Sequence, residues 1–194
     1  MLKRGLAPLI ACVATAPLAS AAYAASQTYH LEKTHVDLLF AIDHAGFSKK
    51  HGSFRELDAT LQFDPAQPEA SSVDVVVQTD SLDTGFAARD KDVKGAMFLD
   101  VAQYPQMHFR STHVRREGDH LRIDGELTLH GVTRPLTLTA HVNQVAPNPF
   151  DKRPTVGFSA TGSLKRSDFG IKQFVPVIGD EVAITIDAEF NHAA

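Results

Sequence analysis

Apolar and polar residues alternate with a period of two along most of the chain, which is typical of β-strands with one dry and one wet face. Several of these runs reach ten residues or more, which suits a tall closed barrel better than a short two-sheet sandwich. We therefore predict a mainly β fold, an antiparallel barrel of about eight strands. The strand candidates are residues 29–33, 36–43, 54–63, 73–79, 107–115, 121–130, 136–143, 156–164 and 182–190.

One interval near residues 84–102 departs from this alternation. Its apolar residues Phe86, Val93 and Met97 follow the spacing of a helix rather than that of a strand. We predict a short helical insert here, with Thr84 as its N-cap.

In a barrel whose strands follow one another in sequence, successive connections alternate between the two ends. The helical insert then shares one end with the connections 46–52, 130–135 and 165–181. We call this end of the barrel the rim. The four connections carry many charged residues of both signs, so the rim can contact a polar group.

The N-terminus carries a different pattern. Lys3 and Arg4 precede an apolar run that is too short to span a membrane comfortably, and Ala22-Tyr23-Ala24 follows as a small-residue cleavage motif. This combination predicts a secretory signal peptide over 1–24, cleaved after Ala24, and a single domain over 25–194. A retained anchor and a lipoprotein acylated at Cys12 are the alternatives.

Cleavage would remove the single cysteine, Cys12, so the mature chain would form no disulfide and would depend on its hydrophobic core. Loss of Lys3 and Arg4 changes the formal net charge from −4 to −6. A mildly acidic domain of this kind argues against a nucleic-acid partner.

Motifs of covalent chemistry are missing from the sequence. Ten histidines are present, but none lies in a His-Glu-x-x-His motif or a close His-x-His pair, so we expect no metal site. Neither a Gly-x-Ser-x-Gly elbow nor a phosphate-binding glycine loop occurs. His44 continues the apolar face of Phe40 and Ile42, and it is the one candidate for a catalytic base. We expect no enzyme and read His44 as a structural histidine.

Several segments, taken in order, resemble the YceI-like lipid-binding proteins over residues 29 to 190. The most recognisable is the hairpin 125–135, Gly-Glu-Leu-Thr-Leu-His-Gly-Val-Thr-Arg-Pro. The resemblance implies a periplasmic, lipocalin-like barrel whose apolar tunnel carries a long isoprenoid, of ubiquinone or polyprenyl-phosphate type, as its cargo and without any cofactor. The remaining matching segments are 35–46, 52–54, 89–90, 98–100, 104–105, 166–170 and 177–182.

Strand faces and loop positions then suggest which residues would meet such a lipid. The insert and the 165–181 connection would form either a lid that opens for the lipid or a permanent plug. The predicted tunnel wall consists of Phe40, Ile42, His44, Phe109, Leu127, Phe158 and Ile184. The predicted rim and lid residues are Phe86, Arg89, Val93, Met97, Arg134, Arg166 and Phe174.

A filled barrel that serves as a stress or interaction module without cargo is the other reading of the same strands. Small residues at inward positions, such as Gly125, Ala140 and Gly162, favour a cavity, although larger neighbours could occupy that space. Transient membrane contact and the oligomeric state, a dimer included, stay open at this stage.

Overall fold

The computed structural model describes residues 26–193, so the predicted signal peptide and Cys12 lie outside the described residues. Within this part, the chain forms ten β-strands and one α-helix. These elements are β1 Gln27–His44, β2 Ser48–Phe54, β3 Leu57–Phe63, β4 Ser72–Gln78, β5 Leu82–Asp83, α1 Ala87–Lys94, β6 Gln106–Glu117, β7 His120–Leu129, β8 Val132–Pro147, β9 Pro154–Lys165 and β10 Ile178–His192.

The strands close into an antiparallel barrel with eight strand positions around its circumference, which confirms the predicted fold class. Going round the barrel, the order is β1, β3, β4, β6, β7, β8, β9 and β10, and β10 pairs with β1 to close it. Strand β3 pairs with the first part of β1, and β2 pairs with its last part, from Leu38↔Phe54 to His44↔Ser48. Strands β2 and β3 therefore occupy one position in the barrel wall, with a break between them at residues 55–56.

The four connections predicted to share the rim do lie together there. The Ala45 N–H donates to the carbonyl of Val177 at 2.8 Å, which joins the first connection to the last. His130, at the β7–β8 hairpin, stacks on Tyr104 with ring centroids 4.4 Å apart. This follows from the sequential antiparallel pairing, which returns every second connection to the same end.

Helix α1 forms the first part of the predicted insert and ends at Lys94, and turns follow it as far as Gln103. The N-cap is Phe86, so the prediction of Thr84 is wrong. The Thr84 backbone N–H and hydroxyl both donate to the Asp90 carboxylate, at 2.8 and 2.5 Å, and fold the preceding turn against the helix. Of the three apolar residues predicted for the insert, Phe86 and Met97 are 60% and 59% exposed, whereas Val93 is half-buried against the core.

The half of the barrel away from the rim is filled with side chains. Phe63, Phe158 and Phe190 meet edge to face, with centroids 5.6 Å apart for Phe63–Phe158 and 6.1 Å for Phe158–Phe190. Val156 is fully buried beside them. We call Phe63, Val156, Phe158 and Phe190 the floor, because they close the barrel below the space that remains open.

The small inward residues do not create that space. A Cβ at Gly125 would lie 2.5 Å from the Phe109 ring, and one at Gly162 would lie 2.7 Å from a Leu138 methyl group. Ala140 is buried in the filled half. Larger neighbours occupy the room beside Gly125 and Gly162, so these two small residues do not leave that room open.

Candidate functional site

The site is a cavity of about 610 Å³ in the rim half of the barrel. Apolar side chains from β1, β4, β6, β7, β8 and β10 form its walls, with Leu and Ile predominating. Residues from the insert and from the β9–β10 connection complete it. A volume of this size lies in the range of pockets that enclose ligands of drug-like size.

The structure brings most of the predicted tunnel wall together around this cavity. Inward-facing positions of neighbouring strands meet there because antiparallel registry sets them side by side. For example, Phe40 pairs with Ile184 across β1 and β10, and Phe109 pairs with Leu127 across β6 and β7. The predicted wall residues that line the cavity are Phe40, Ile42, His44, Phe109, Leu127 and Ile184.

Phe158 is the exception, because the structure places it in the floor and not on the cavity wall. Its strand face was predicted correctly, since it points inward. Its position along the barrel axis was not predicted correctly. That position depends on the pairing Phe158↔Val142 and Phe158↔Ala188, which the alternation alone does not reveal.

Polar side chains line the cavity near the rim, on the side formed by β1, β2 and the insert. We call this side the mouth. The predicted site residues include His44 and Arg89 but not Asp92 of α1, and not Lys50 and His51, which lie on β2, a segment that was read as a loop. The continuous polarity of Ser48-Lys49-Lys50-His51 hides the strand. The mouth residues are Asp43, His44, Lys50, His51, Thr84, Arg89 and Asp92.

The structure separates the predicted lid residues into two groups. Val93, Met97 and Phe174 line the cavity beside Arg89. Arg89 donates from Nε to the Thr84 hydroxyl and from Nη2 to the Thr84 carbonyl, both at 2.8 Å, which fixes the guanidinium at the mouth.

Phe86 and Arg134 do not line the cavity. Phe86 faces solvent, and the Arg89 guanidinium carbon lies 5.7 Å from the centroid of its ring. Arg134 is exposed on β8, where its Nη1 donates to the Thr133 carbonyl at 3.0 Å.

Arg166 borders the cavity but is not available as predicted to meet a head group. Its side chain is buried and donates to three backbone carbonyls, from Nε to Gly179 at 2.8 Å, from Nη1 to Ile171 at 3.0 Å and from Nη2 to Ile178 at 2.9 Å. Burial lowers the pKa of Arg166, and the negative charge of Asp180 acts in the opposite direction. Arg166 thus clamps the β9–β10 connection that carries Phe174.

Asp180 holds the start of the same connection. Its carboxylate accepts hydrogen bonds from the Ser167 backbone N–H at 2.9 Å and the Ser167 hydroxyl at 2.7 Å. Burial alone would raise the pKa of Asp180, but the two Ser167 hydrogen bonds and the Arg166 charge outweigh it and lower the pKa below its ordinary value. The β9–β10 connection is therefore tied down at both ends by charged groups.

His44 lies exposed at the mouth, and within residues 26–193 its imidazole has no hydrogen-bond partner. The described residues also contain no cluster of three or more His, Cys, Asp or Glu side chains placed to hold a metal ion. No helix among residues 26–193 is both long and apolar enough to cross a membrane.

Sequence comparison finds close relatives over most of the chain. Protein YceI of Escherichia coli O157:H7 is 40% identical over 171 residues, which cover 88% of this chain and 89% of that protein. Protein YceI of Salmonella arizonae is 40% identical over 168 residues, which cover 87% of each chain.

Solved structures share the fold. The YCEI protein of Campylobacter jejuni superposes with a TM-score of 0.71 at 29% identity, over 79% of this chain and 91% of that one. A polyisoprenoid binding domain from Saccharophagus degradans superposes with a TM-score of 0.61 at 14% identity, over 86% of this chain and 99% of that one. Residues 29–190 match the YceI-like domain, which confirms the resemblance, and the chain therefore belongs to the YceI-like family.

Proposed function

We propose that this protein is a periplasmic carrier that holds a long-chain isoprenoid lipid in the rim-half cavity without altering it. The observation that carries the proposal is the cavity itself, about 610 Å³ of mainly apolar space whose polar lining residues are those of the mouth and Arg166. The description of the Saccharophagus degradans domain as polyisoprenoid binding supports this class of cargo. The filled-barrel alternative is disfavoured because the rim half is not filled.

The driving force would be burial of the isoprenoid chain, at about 25 cal/mol per Å² of apolar surface removed from water. The floor closes the barrel below the cavity, so we expect the cavity to hold only part of a long chain. The polar head would stay at the mouth, beside Lys50 and Arg89. The periplasmic location is proposed from the predicted signal peptide, and the intact mass of the exported protein would test cleavage after Ala24.

Native mass spectrometry after gentle purification, followed by titration with ubiquinone-8 and with undecaprenyl phosphate, tests the cargo. Ile184→Trp places an indole inside the cavity and should weaken binding by at least about tenfold, whereas Thr185→Trp, exposed on the opposite face of β10, should bind as the wild type does. Ile42→Trp is a second blocking variant if the first folds poorly. Circular dichroism establishes that each variant is folded.

Three results would contradict the proposal. Failure of the wild-type protein to take up either lipid would favour the filled-barrel module. Equal binding by Ile184→Trp, Ile42→Trp and wild type would place the lipid elsewhere. A chemically altered lipid whose formation requires His44 would indicate an enzyme. Lys50→Met separates the two cargo types, since it should weaken binding of the charged phosphate but not of the neutral quinone.

A further inference from the structure

Large apolar side chains are exposed on three of the four rim connections. Phe47, on the β1–β2 turn, is 89% exposed. Phe86 and Met97 flank α1, and Phe174 and Val177 lie on the β9–β10 connection, all more than half exposed. A soluble surface does not usually concentrate such residues at one end. Something is therefore expected to cover this end of the barrel at times.

The three connections adjoin one another at the rim. The Ala45–Val177 hydrogen bond joins the first and last connections. The rings of Phe98 and Phe174 lie 6.3 Å apart and join the insert to the last connection. We call Phe47, Phe86, Met97, Phe174 and Val177 the apolar rim.

The apolar rim is continuous with the inside of the barrel. Met97 and Phe174 are more than half exposed and also line the cavity. A hydrocarbon chain that moved from a surface covering the rim into the cavity would pass along apolar side chains. A surface that supplies such a chain would itself have to be apolar just below its outer layer.

Lysine residues lie close in sequence to the exposed apolar side chains of the rim. Lys49 follows Phe47 by two residues, Lys91 follows Phe86 by five, and Lys172 precedes Phe174 by two. Within residues 26–193 these three lysines are exposed and none forms an ion pair. Aromatic tips with adjacent lysines are typical of segments that lie at a lipid–water interface, where the ring enters the apolar layer and the amine meets phosphate.

We propose that the rim docks on the surface of a phospholipid bilayer that contains anionic lipid, with the apolar rim inserted between the head groups. The exposed apolar side chains project one by one from separate loops. Such an arrangement suits insertion into a fluid lipid layer better than packing against the flat, complementary surface of a second copy. Asp92, Asp168 and Glu181 at the same end dilute the positive charge, so insertion of the tips contributes more than charge. Docking rests on the proposed function in one respect only, because loading of the isoprenoid cargo is the purpose that docking would serve.

Vesicle flotation tests the docking, with phosphatidylethanolamine vesicles containing one quarter phosphatidylglycerol. The double variant Phe47→Ser/Val177→Ser should lose at least about tenfold in vesicle affinity, because two exposed apolar groups no longer insert. Phe150→Ser is the matched control. Phe150 is 93% exposed on the β8–β9 connection at the opposite end, and Lys152 follows it by two residues. This control should float with vesicles as the wild type does.

Two outcomes would overturn the docking proposal. One is that the wild-type protein fails to float with these vesicles, and the other is that Phe150→Ser loses as much vesicle affinity as the double variant does. Analytical ultracentrifugation tests whether a second copy of the chain, rather than a bilayer, covers the rim. A wild-type dimer that the rim substitutions abolish, without vesicle binding by the monomer, would assign the rim to a second copy of the chain.

Binding of a ubiquinone with two isoprene units, added from solution, separates this proposal from the proposed function. The Phe47→Ser/Val177→Ser protein should bind it with wild-type affinity, because neither residue lines the cavity. The same protein should load ubiquinone-8 from vesicles at least about tenfold more slowly. If the wild type floats with vesicles but binds no isoprenoid, the cargo proposal fails and the docking proposal stands.

Discussion

The rings of Phe98 and Phe174 lie with their centroids 6.3 Å apart and their planes tilted by 45°. This pair joins the helical insert to the β9–β10 connection, and both residues line the cavity. The sequence had suggested that Phe86 belongs to the lid, but Phe86 faces solvent and does not line the cavity. Any lid that opens at this junction must separate Phe98 from Phe174.

We predict that linking these two positions slows lipid entry. In a Cys12→Ala background, which removes the chain's single cysteine, Phe98→Cys and Phe174→Cys would be joined by a short bismaleimide. The linked protein should load lipid at least about tenfold more slowly, because a gate must open for the chain to enter. Stopped-flow fluorescence with a fluorescent isoprenoid measures the rate. Reagent-treated Phe98→Cys alone is the control, and equal rates would favour a permanent plug.

Arg166 and Arg134 were both predicted to meet a head group, and the structure distinguishes them. Arg166→Met should lower the free energy of unfolding by about 2 to 4 kcal/mol, because it leaves the carbonyls of Gly179, Ile171 and Ile178 without their donor. Arg134→Met should change it by less than about 0.5 kcal/mol, since its side chain is exposed. Urea unfolding measures both, and equal effects would contradict the clamp.

Gly125 is required because the Phe109 ring occupies the space beside it. A Cβ there would also lie 2.6 Å from the Arg110 carbonyl oxygen, which belongs to the backbone and cannot easily move. Gly125→Ala should therefore destabilise the protein by about 1 to 3 kcal/mol. Gly157→Ala is the matched control, because its nearest neighbour would be the Asn143 Cβ at 3.8 Å. Thermal unfolding followed by circular dichroism should show a lower Tm for Gly125→Ala alone.

The floor should limit how much of the isoprenoid chain the barrel encloses. Phe158→Ala removes a ring from the floor and should deepen the cavity, at a stability cost of up to about 3 kcal/mol. We expect the ratio of affinities for long over short isoprenoids to rise in this variant. Phe150→Ala, which removes an exposed ring at the same end, should leave the ratio unchanged. An unchanged ratio in Phe158→Ala would show that the chain does not reach the floor.

The periodicity of the sequence was sufficient for the barrel and for the inward faces. Alternation is a local property, and it correctly turns Phe40, Phe109, Leu127 and Ile184 toward the interior. Sequential antiparallel pairing also predicted which connections share the rim. The same reasoning read β2 as a loop, because a polar strand beside a mouth shows no alternation, and it thereby missed Lys50 and His51.

The tertiary structure decided the height of each residue and the partners of its polar groups. Height is set by strand register, such as Phe158↔Val142, and register depends on hydrogen bonds between segments far apart in sequence. Arg166 has its role because Gly179 and Ile178 return beside it after the loop. The sequence alone thus determined which side of each alternating strand is dry, since that follows from neighbouring residues. Only the closed barrel decided where the floor ends and the cavity begins, since that follows from distant ones.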